Sequence, residues 1–378
     1  MFEASAPVRF FLGANTPVGF VSYAEDLYDT RGGWRAYIIK GGPGTGKGSM
    51  MRAVLQAMTD RGLPVEAVHC SSDPASLDAV IVPGLKACIV DGTAPHIIEP
   101  KYWGAVERIV NLGDCIDNER LVRQAPEILE ATDACSALHA RCRKFIGAAA
   151  SLLGDSARIA QDCTDVAKAA RTAERVADKE FPAGRGVRGK EKRRFLSAVT
   201  PEGLLVFHET LQALCPQIYA IEDETGAAAR ILLAQLRARA LEAGLDIVSC
   251  ACPLSPHEKL EHLVIPSLGL AFTTSNTWHK ADFPVYRRIH AARFTDTARL
   301  RQKRPILSFN RRAARELLGE AVSIAQEAKQ VHDVMEAFNV RSMNWEKADA
   351  LTHRVVAEFL LLAEAAGSSA RADRGTGG

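Results

Sequence analysis

A glycine-rich segment, Gly41–Ser49, has residue types and spacing that suit a phosphate chain. Its sequence is GGPGTGKGS, so the part from Gly41 to Lys47 fits the pattern G-x-x-x-x-G-K. Glycines let backbone N–H groups turn inward around an anion, and the Lys47 ammonium adds a charge for the terminal phosphates. We predict a strand at Arg35–Ile39 before the segment and a helix at Gly48–Arg61 after it, whose positive end faces the anion. The predicted nucleotide-binding residues are Gly41, Gly42, Pro43, Gly44, Thr45, Gly46, Lys47, Gly48 and Ser49.

Two residues are candidates for holding Mg²⁺ beside such phosphates. Asp91 ends an apolar strand predicted at Lys86–Val90, where an acid in a nucleotide site holds the ion; the alternative is an Asp that caps the next turn. A Ser or Thr directly after the loop lysine usually binds the metal, but Gly48 stands there. Ser49 comes one position later and reaches the ion through water or after a small shift. We therefore predict metal ligands at Ser49 and Asp91, with Lys47 and Asp91 in catalytic roles.

The general base that activates the attacking water must come from a part of the sequence outside the two motifs above. Gly92 occupies the position where a catalytic glutamate would follow Asp91. The segment HCSSDP follows a second strand, predicted at Val65–Cys70, and ligands gather at the carboxyl ends of strands in open α/β sheets. Asp73 in this segment could accept a proton from water or from a substrate hydroxyl. The alternative is that Asp73 only forms the turn before Pro74.

The chain contains an internal repeat. RFFLGANTPVG at Arg9–Gly19 matches RRFLSAVTPEG at Arg193–Gly203, and two further blocks occur in the same order at a nearly constant offset. In each half, strands alternate with helices, which indicates a parallel sheet. We predict an α/β protein with two tandem P-loop NTPase domains of Rossmann-like architecture. In each, a Thr-Pro-x-Gly segment opens the domain, with Thr16 as a helix N-cap and Pro17 at the first helical position.

The second half lacks the lysine and the acid that are predicted to bind nucleotide and metal in the first half. The aligned blocks place Ala229 opposite Lys47 and Thr274 opposite Asp91. Asp223 and Glu224 begin the second loop, where their negative charge repels phosphate. We therefore predict that the second loop is degenerate and that one nucleotide binds per chain.

Each half ends in a helical region with an apolar stripe. Residues 128–152 and 159–177 carry apolar side chains in steps of three and four, with a turn predicted at Gly154 and Asp155 between them. The second half repeats this pattern over residues 317–362. We interpret each region as an antiparallel hairpin whose helix packs against its own return helix, rather than as a partner-binding face.

These patterns divide the chain into segments. The predicted divisions are a P-loop NTPase domain at 1–117, a helical hairpin at 118–180, a basic linker at 181–192, a degenerate second P-loop domain at 193–305, a second hairpin at 306–366 and a disordered tail at 367–378. The linker and the three residues after it, Phe181–Phe195, carry six basic residues against one acid, so a phosphate-binding lid or a nucleic-acid contact is the alternative to a solvated linker.

Composition excludes several protein classes. The chain has 378 residues, of which 47% are hydrophobic, and a formal net charge of +2, so it supports folded cores without a general attraction for nucleic acid or membranes. It contains no apolar run long enough for a membrane span, and its N-terminus lacks the pattern of a secretory signal. Nine cysteines without metal-ligand spacing indicate reduced thiols, so we expect a cytoplasmic protein.

Two family resemblances are carried by these motifs. The loop sequence GGPGTGKGS resembles that of adenylate kinases and related nucleotide kinases, although no further match to them occurs along the chain.

Nearly the whole chain resembles a family of bacterial P-loop ATPases with two tandem nucleotide-binding domains and no established substrate. The resemblance is carried by KGGPGTGKGSMM, HCSSDPASLDAVIVP, IVDGTAPH, EPKYWGAVERIVNLGD, TPEG and PHEKLEHLVIPSLGLAFTTSN. It implies ATP binding, with ATP hydrolysis as the activity. Together with the metal ligands predicted at Ser49 and Asp91, the expected cofactors are ATP and Mg²⁺. Members commonly carry Lys-Ser or Lys-Thr in the first loop and often a loop-like second half, so this chain departs at Gly48 and in the whole second loop.

Three functions remain open on the sequence alone. The first is an ATPase with one competent site, which couples hydrolysis to a conformational or partner event. The second is a nucleotide or small-molecule kinase, suggested by the Lys-Gly-Ser order of the loop. The third is an ATP-gated binding or scaffold module with negligible turnover, acting on an unknown protein or small-molecule partner.

Overall fold

The computed structural model describes residues 7–184 and 186–375. The first part of the chain forms β1 (Val8–Phe11), β2 (Gly13–Thr16), β3 (Gly19–Ser22), β4 (Arg35–Lys40), α1 (Lys47–Thr59), β5 (Glu66–His69), β6 (Leu77–Val82), β7 (Ala87–Asp91), β8 (Glu107–Asn111) and α2 (Asn118–Arg123). The middle forms α3 (Ala125–Gln161), α4 (Val166–Glu180), β9 (Glu191–Arg194), β10 (Ser197–Thr200), β11 (Gly203–Val206), α5 (His208–Leu214), β12 (Gln217–Glu222) and α6 (Ala227–Glu242). The last part forms β13 (Ile247–Cys252), β14 (Ser255–Ile265), β15 (Leu270–Ser275), β16 (Arg287–His290), α7 (Thr297–Gln302), α8 (Arg304–Ser342) and α9 (Trp345–Gly375).

The chain divides into two compact units. The first unit comprises Met1–Leu12, Ser22–His139 and Gln326–Gly378, and the second comprises Gly13–Val21 and Ala140–Ala325. Both units are therefore discontinuous in sequence, and the long helices α3 and α8 each contribute residues to both. None of the described helices combines the length and the apolar character needed to cross a membrane.

The first unit is built on a six-stranded sheet in the order β1-β5-β6-β7-β4-β8. The sheet contains three parallel pairs, β1 with β5, β7 with β4, and β4 with β8. Strand β6 is antiparallel to both of its neighbours, β5 and β7. The prediction of a wholly parallel sheet is therefore wrong at β6, whose residues Leu77–Val82 are all buried. A short 3-10 turn at Pro83–Leu85 reverses the chain and lets β6 pair with β7 as a hairpin.

The second unit contains a sheet with the same plan. Its order, β16-β12-β15-β14-β13-β9, matches the first sheet strand for strand, with β14 as the antiparallel strand. Strand β9 starts at Glu191, so the last residues of the predicted basic linker form an edge strand beside β13. Arg194 in this strand is 1% exposed, so it is not part of a solvent-facing lid. Arg185, another linker residue, lies outside the described residues.

The Thr-Pro-x-Gly segments form β-turns rather than helix starts. Thr16 ends β2, and its hydroxyl donates to the carbonyl of Gly19 at 2.7 Å, where β3 begins. Thr200 makes the same bond to Gly203 at 2.9 Å between β10 and β11. The prediction of Thr16 as a helix N-cap is therefore wrong, because its hydroxyl closes a turn between strands and Gly19 supplies the positive φ of 119°.

The long helices do not fold back at the predicted turn. Gly154 and Asp155 lie inside α3, which continues to Gln161. The next helix, α4, starts only after Asp165, whose carboxylate accepts from the backbone N–H of Lys168 and caps it. A single glycine costs a helix only about 1 kcal/mol, which does not end it without a cap beyond it.

The apolar stripe of α3 faces α8 rather than a return helix. In the first unit, the thiol of Cys135 lies 3.7 Å from the carbonyl of Ala328. In the second unit, the Cys142 thiol donates to the carbonyl of Ala321 at 3.3 Å, and Asn310 donates to Asp155 at 2.9 Å. The two long helices therefore pair with each other, and the predicted self-contained hairpins are wrong.

The helices after them join the cores of the two units. Helix α4 buries Ala169, Ala173 and Ala177 against α6 in the second unit. Helix α9 packs on α1 in the first unit, where the Phe359 ring lies 5.0 Å from the ring of Tyr37. Helix α9 continues to Gly375, so the described part of the predicted disordered tail is helical, and residues 376–378 lie outside the described residues.

Candidate functional site

The glycine-rich loop lies at the carboxyl edge of the first sheet. It connects β4, which lies between β7 and β8, to α1. In the register of β4 and β7, Ile39 pairs with Asp91, so the last residues of both strands reach the same edge. The strand before the loop and the helix after it, both predicted from sequence, are thus present, and Asp91 is placed next to the loop.

The loop conformation depends on glycine at two positions. Gly44 has a φ of 73° and Gly46 a φ of 92°, a region that residues with a Cβ rarely adopt. Gly46 is also the N-cap of α1 and offers no side chain to the helix N–H groups. Buried Thr45 fixes the turn, because its hydroxyl donates to the carbonyl of Gly42 at 2.8 Å. The first-turn N–H groups of α1 thus have no side-chain cap from within the loop.

Lys47 and Asp91 are brought together. The Lys47 ammonium donates to the carbonyls of Gly41 and Gly42, each at 2.8 Å, and lies 3.5 Å from Oδ2 of Asp91. The other carboxylate oxygen of Asp91 accepts from the backbone N–H of Thr93 at 2.9 Å and from its hydroxyl at 2.5 Å. Asp91 is therefore oriented by the turn after it while its second oxygen faces the lysine. Both roles for Asp91, as a cap and as a charged member of the site, are compatible with this geometry.

Ser49 and Asp73 have other neighbours. Ser49 is exposed, and its hydroxyl accepts from the guanidinium of Arg52 at 3.4 Å. Asp73 lies 3.5 Å from the ammonium of Lys329 on α8, which also donates to Asp333 at 2.8 Å. The structure therefore joins Lys47 to Asp91 but gives Ser49 and Asp73 cationic partners of their own.

Residues from the C-terminal part of the chain contact the glycine-rich loop. The sequence analysis did not predict this contact. A Cβ at Gly44 would lie 2.7 Å from the carbonyl oxygen of Glu336, and one at Gly42 would lie 3.2 Å from the amide of Asn339. A Cβ at Gly46 would lie 3.3 Å from the indole of Trp345. Between 292 and 299 residues separate these contact residues from the glycines that they approach, so no local sequence pattern could reveal the contact. Helices α8 and α9 thus form one wall of the loop within the first unit.

Glu336 brings a carboxylate toward Lys47. A hydrogen bond from His332, at 3.4 Å, lowers the pKa of Glu336; burial opposes this, and the charges of Lys329 and Lys47 add to the lowering. Hydrogen bonds to Cys135 and Glu336 raise the pKa of His332 to about 9. In the wall of the loop, the Glu336 carboxylate is therefore paired with the His332 imidazole, and each partner favours the charged form of the other.

A buried acid–histidine pair belongs to the same unit. Nε2 of His96 lies 2.9 Å from Oδ2 of Asp78, and its Nδ1 lies 3.1 Å from the hydroxyl of Ser22. Burial lowers the pKa of His96, but the hydrogen bond to Asp78 and the charges of Asp78 and Asp91 outweigh it, so the net shift is upward. His96 is therefore held by a charged partner at the centre of the sheet.

The loop after β12 in the second unit differs from the first in length and content. Six residues, 41–46, separate β4 from α1, whereas four residues, 223–226, separate β12 from α6. Gly226, with a φ of 76°, is the N-cap of α6, so Ala227 stands where Lys47 stands in the first unit. The alignment that placed Ala229 opposite Lys47 is therefore wrong by two residues, although the lysine is absent in either register. The register of β12 and β15 does place Thr274 opposite Asp91, as predicted.

Asp223 fills the turn of this shorter loop. Its Oδ1 accepts from the backbone N–H groups of Thr225 and Gly226, at 3.1 and 2.9 Å, and from the Thr225 hydroxyl at 3.0 Å. Its Oδ2 accepts from the N–H of Ala229 at 2.9 Å. The carboxylate is 5% exposed, so the protein's own anion occupies the N–H groups at the start of α6.

Comparisons with known proteins add no assignment. No protein-family model matches the chain, and neither a curated protein nor a solved structure matches it. Within residues 7–184 and 186–375, no group of three or more His, Cys, Asp or Glu side chains is arranged to hold a metal ion.

Proposed function

We propose that the first unit binds Mg²⁺·ATP at Gly41–Ser49 and hydrolyses it. The observation that carries this proposal is the position of the Lys47 ammonium, which lies among the oxygens of Gly41, Gly42 and Asp91 at the edge of the sheet. Two left-handed glycines and an uncapped helix start supply inward N–H groups next to it. This combination of a flexible cation and backbone donors suits a chain of phosphates.

The residues at the loop fit the nucleotide and its metal ion. The carbonyls that now accept from Lys47 are exchanged for phosphate oxygens when nucleotide enters, because an anion attracts the ammonium more strongly than a neutral carbonyl does. Mg²⁺ is commonly held by only one or two carboxylates together with phosphates and water, so Asp91 and Ser49 are a sufficient protein contribution. When bound, the ion neutralises charge that develops on the phosphates. Ser49 must leave Arg52 to take part.

The two units support the proposal of tandem P-loop domains. Their sheets share one strand order and both place a loop and helix after the same strand. We assign nucleotide binding to the first unit alone, since the second loop lacks the lysine and holds Asp223 instead. The nine cysteines are free thiols, which supports a reducing compartment such as the cytoplasm.

A second candidate is an ATP-gated binding module with negligible turnover. The specific observation in its favour is the wall formed by Glu336, Asn339 and Trp345, which lies against the loop glycines. A nucleotide entering the loop meets this wall and shifts α8, so binding alone transmits a signal. The kinase hypothesis gains no comparable observation.

Phosphate release and nucleotide binding test the two candidates together. The wild type is incubated with ATP and Mg²⁺, and binding of ATP and ADP is measured by calorimetry, with Lys47→Ala as the site control. Steady phosphate release that is lost in Lys47→Ala supports the ATPase. Lys47-dependent binding without turnover selects the gated module. Absence of both binding and turnover in the folded protein overturns the assignment of the loop.

A further inference from the structure

The second unit contains a cavity that the proposed ATP site does not explain. It has a volume of about 410 Å³ and lies at the carboxyl ends of β12, β13 and β15. Its size falls in the range of roughly 300–1,000 Å³ that is usual for small-molecule sites. All the residues that line it belong to the second unit.

Phosphate is not a suitable ligand for this cavity. The backbone donors at the start of α6 already hold the carboxylate of Asp223, through Thr225, Gly226 and Ala229. A phosphate group would have to displace a buried carboxylate that four hydrogen bonds hold, and would then lie beside its negative charge. The cavity therefore lies where a nucleotide would bind in a P-loop domain, but the backbone N–H groups that would hold its phosphates are already occupied.

A cluster of buried polar side chains forms part of the cavity lining. Glu261 accepts from the hydroxyl of Ser197 at 2.9 Å and lies 3.3 Å from both the ammonium of Lys259 and Nε2 of His279. Glu261 is 4% exposed and His279 is 5% exposed, so burial strengthens these contacts. The cluster balances one carboxylate with one ammonium. The cluster also includes the His279 imidazole, and it presents oriented polar groups to the cavity.

Charges elsewhere in the lining favour a positive ligand. Arg230 forms an ion pair with Glu258 at 3.1 Å. Glu224, in contrast, accepts only from the backbone N–H and hydroxyl of Thr277, so among the residues that the structure describes no cation neutralises it. Besides two histidines, His257 and His279, the lining carries three carboxylates and two cations, and Glu224 is the carboxylate without a Lys or Arg partner among the described residues.

Much of the remaining lining is apolar and shaped by small residues, although Ser151, Ser255 and Asn276 also line the cavity. Helix α3 contributes Gly147, Ala150, Gly154 and Ala157, which leave space along one wall. Other parts of the lining are apolar side chains, among them Leu153, Leu204 and Trp278. Apolar walls of this kind suit a ring or a short hydrocarbon chain.

We propose that this cavity is a binding site for an amphipathic monocation, an amine with an aromatic or aliphatic body. The ammonium pairs with Glu224, and the apolar body lies along the small residues of α3. The site is independent of nucleotide, since it lies entirely in the second unit.

Three dansyl compounds that differ in charge test the proposal. Dansylcadaverine carries an ammonium, dansylamide is neutral, and dansylglycine carries a carboxylate, while the naphthalene body is the same. We measure the fluorescence of each during titration with the full chain, without nucleotide. Dansylcadaverine is expected to bind one per chain with a blue shift, and about tenfold more tightly than dansylglycine, as expected for one unbalanced charge near a partly apolar site.

Two pairs of measurements locate the site and its charge. Ala150→Phe fills the cavity and should abolish binding, whereas Ala148→Phe, on the exposed face of the same helix, should leave it unchanged. Glu224→Gln keeps a hydrogen-bond acceptor for Thr277 and should weaken dansylcadaverine about two- to fivefold, as expected for an exposed carboxylate, without weakening dansylamide. The proposal is overturned if no compound binds, if Ala150→Phe and Ala148→Phe behave alike, or if dansylglycine binds most tightly. Because Glu224 is exposed, its variant remains informative even if Ala150→Phe does not fold.

Discussion

Among single residues, Lys47 has the position that best supports the proposed nucleotide site, because its ammonium already lies among oxygen atoms at the sheet edge. Lys47→Ala is expected to abolish ATP turnover and to weaken ATP binding more than ADP binding, since the ammonium contacts the terminal phosphates. Loss of one charge-assisted contact costs about 1.5–3 kcal/mol, or roughly 10- to 150-fold in affinity. Calorimetry with both nucleotides measures the difference.

Lys101→Ala is the matched control for this change, because Lys101 is an exposed lysine in the same unit. It should bind both nucleotides as the wild type does. Equal losses for ATP and ADP in Lys47→Ala would contradict a contact with the terminal phosphate.

Asp91→Asn separates the two roles that remain open for Asp91. Asparagine can still accept from Thr93, so the turn after β7 should persist and stability should change little. A hard cation prefers a charged oxygen ligand, so turnover should need more Mg²⁺ and reach a lower maximum. Phosphate release measured over a series of Mg²⁺ concentrations tests this. An unchanged Mg²⁺ profile would leave Asp91 as a turn cap only.

His96 links stability of the first unit to pH. Its pKa is raised in the folded protein through Asp78, so protonated His96 stabilises the fold. This contribution is complete below the ordinary histidine pKa of about 6.5 and is lost as the pH rises through the raised value. Asp78→Asn removes the charged partner and should therefore reduce the free energy of unfolding more at about pH 5.5 than at about pH 9. Urea unfolding at both values, with an NMR titration of the imidazole, tests the sign; an equal loss at both would contradict it.

At the scale of elements, α9 is the helix on which the first core depends. Phe359 is 0% exposed and its ring lies 5.0 Å from that of Tyr37 on β4. Phe359→Ala should lower the free energy of unfolding by about 3–5 kcal/mol, because it leaves a cavity beside the strand that precedes the loop. Leu361→Ala, at a position that is 64% exposed, should change it by no more than about 0.5 kcal/mol. Chemical denaturation of the two variants measures the contrast, and similar losses in both would show that α9 is not part of this core.

Elements with local signals were predictable, and those fixed by distant contacts were not. The strand before Gly41 and the helix after Gly46 are indicated by an apolar run and a glycine turn, both of which act over a few residues. The partner of α3 could not be read in this way, because an apolar stripe shows that a helix is covered but not which helix covers it. Thr16 shows the same limit, since a hydroxyl before proline either caps a helix or closes a turn between strands, and the choice depends on the next element of the chain. The wall at the loop, with Glu336 and Trp345, depends on contacts across most of the chain.

For the whole molecule, the structure sharpens the expected stoichiometry. A slowly hydrolysed ATP analogue should bind once per chain in calorimetry, and Lys47→Ala should remove that binding. The physical reason is the carboxylate of Asp223, which already satisfies the N–H groups that a second phosphate chain would need. Two sites in the wild type, with one surviving in Lys47→Ala, would contradict this.

The discontinuity of the first unit has a consequence for its synthesis on the ribosome. The hydroxyl of Tyr37 donates to the carboxylate of Glu358, 321 residues later, so the first core lacks a wall until nearly the whole chain has been made. At roughly 5–20 residues per second, that interval lasts on the order of tens of seconds. The second unit ends at Ala325, before the residues that complete the first. The first unit begins before the second in the sequence but is completed after it, and β4 with its glycine loop emerges long before the helices that cover them.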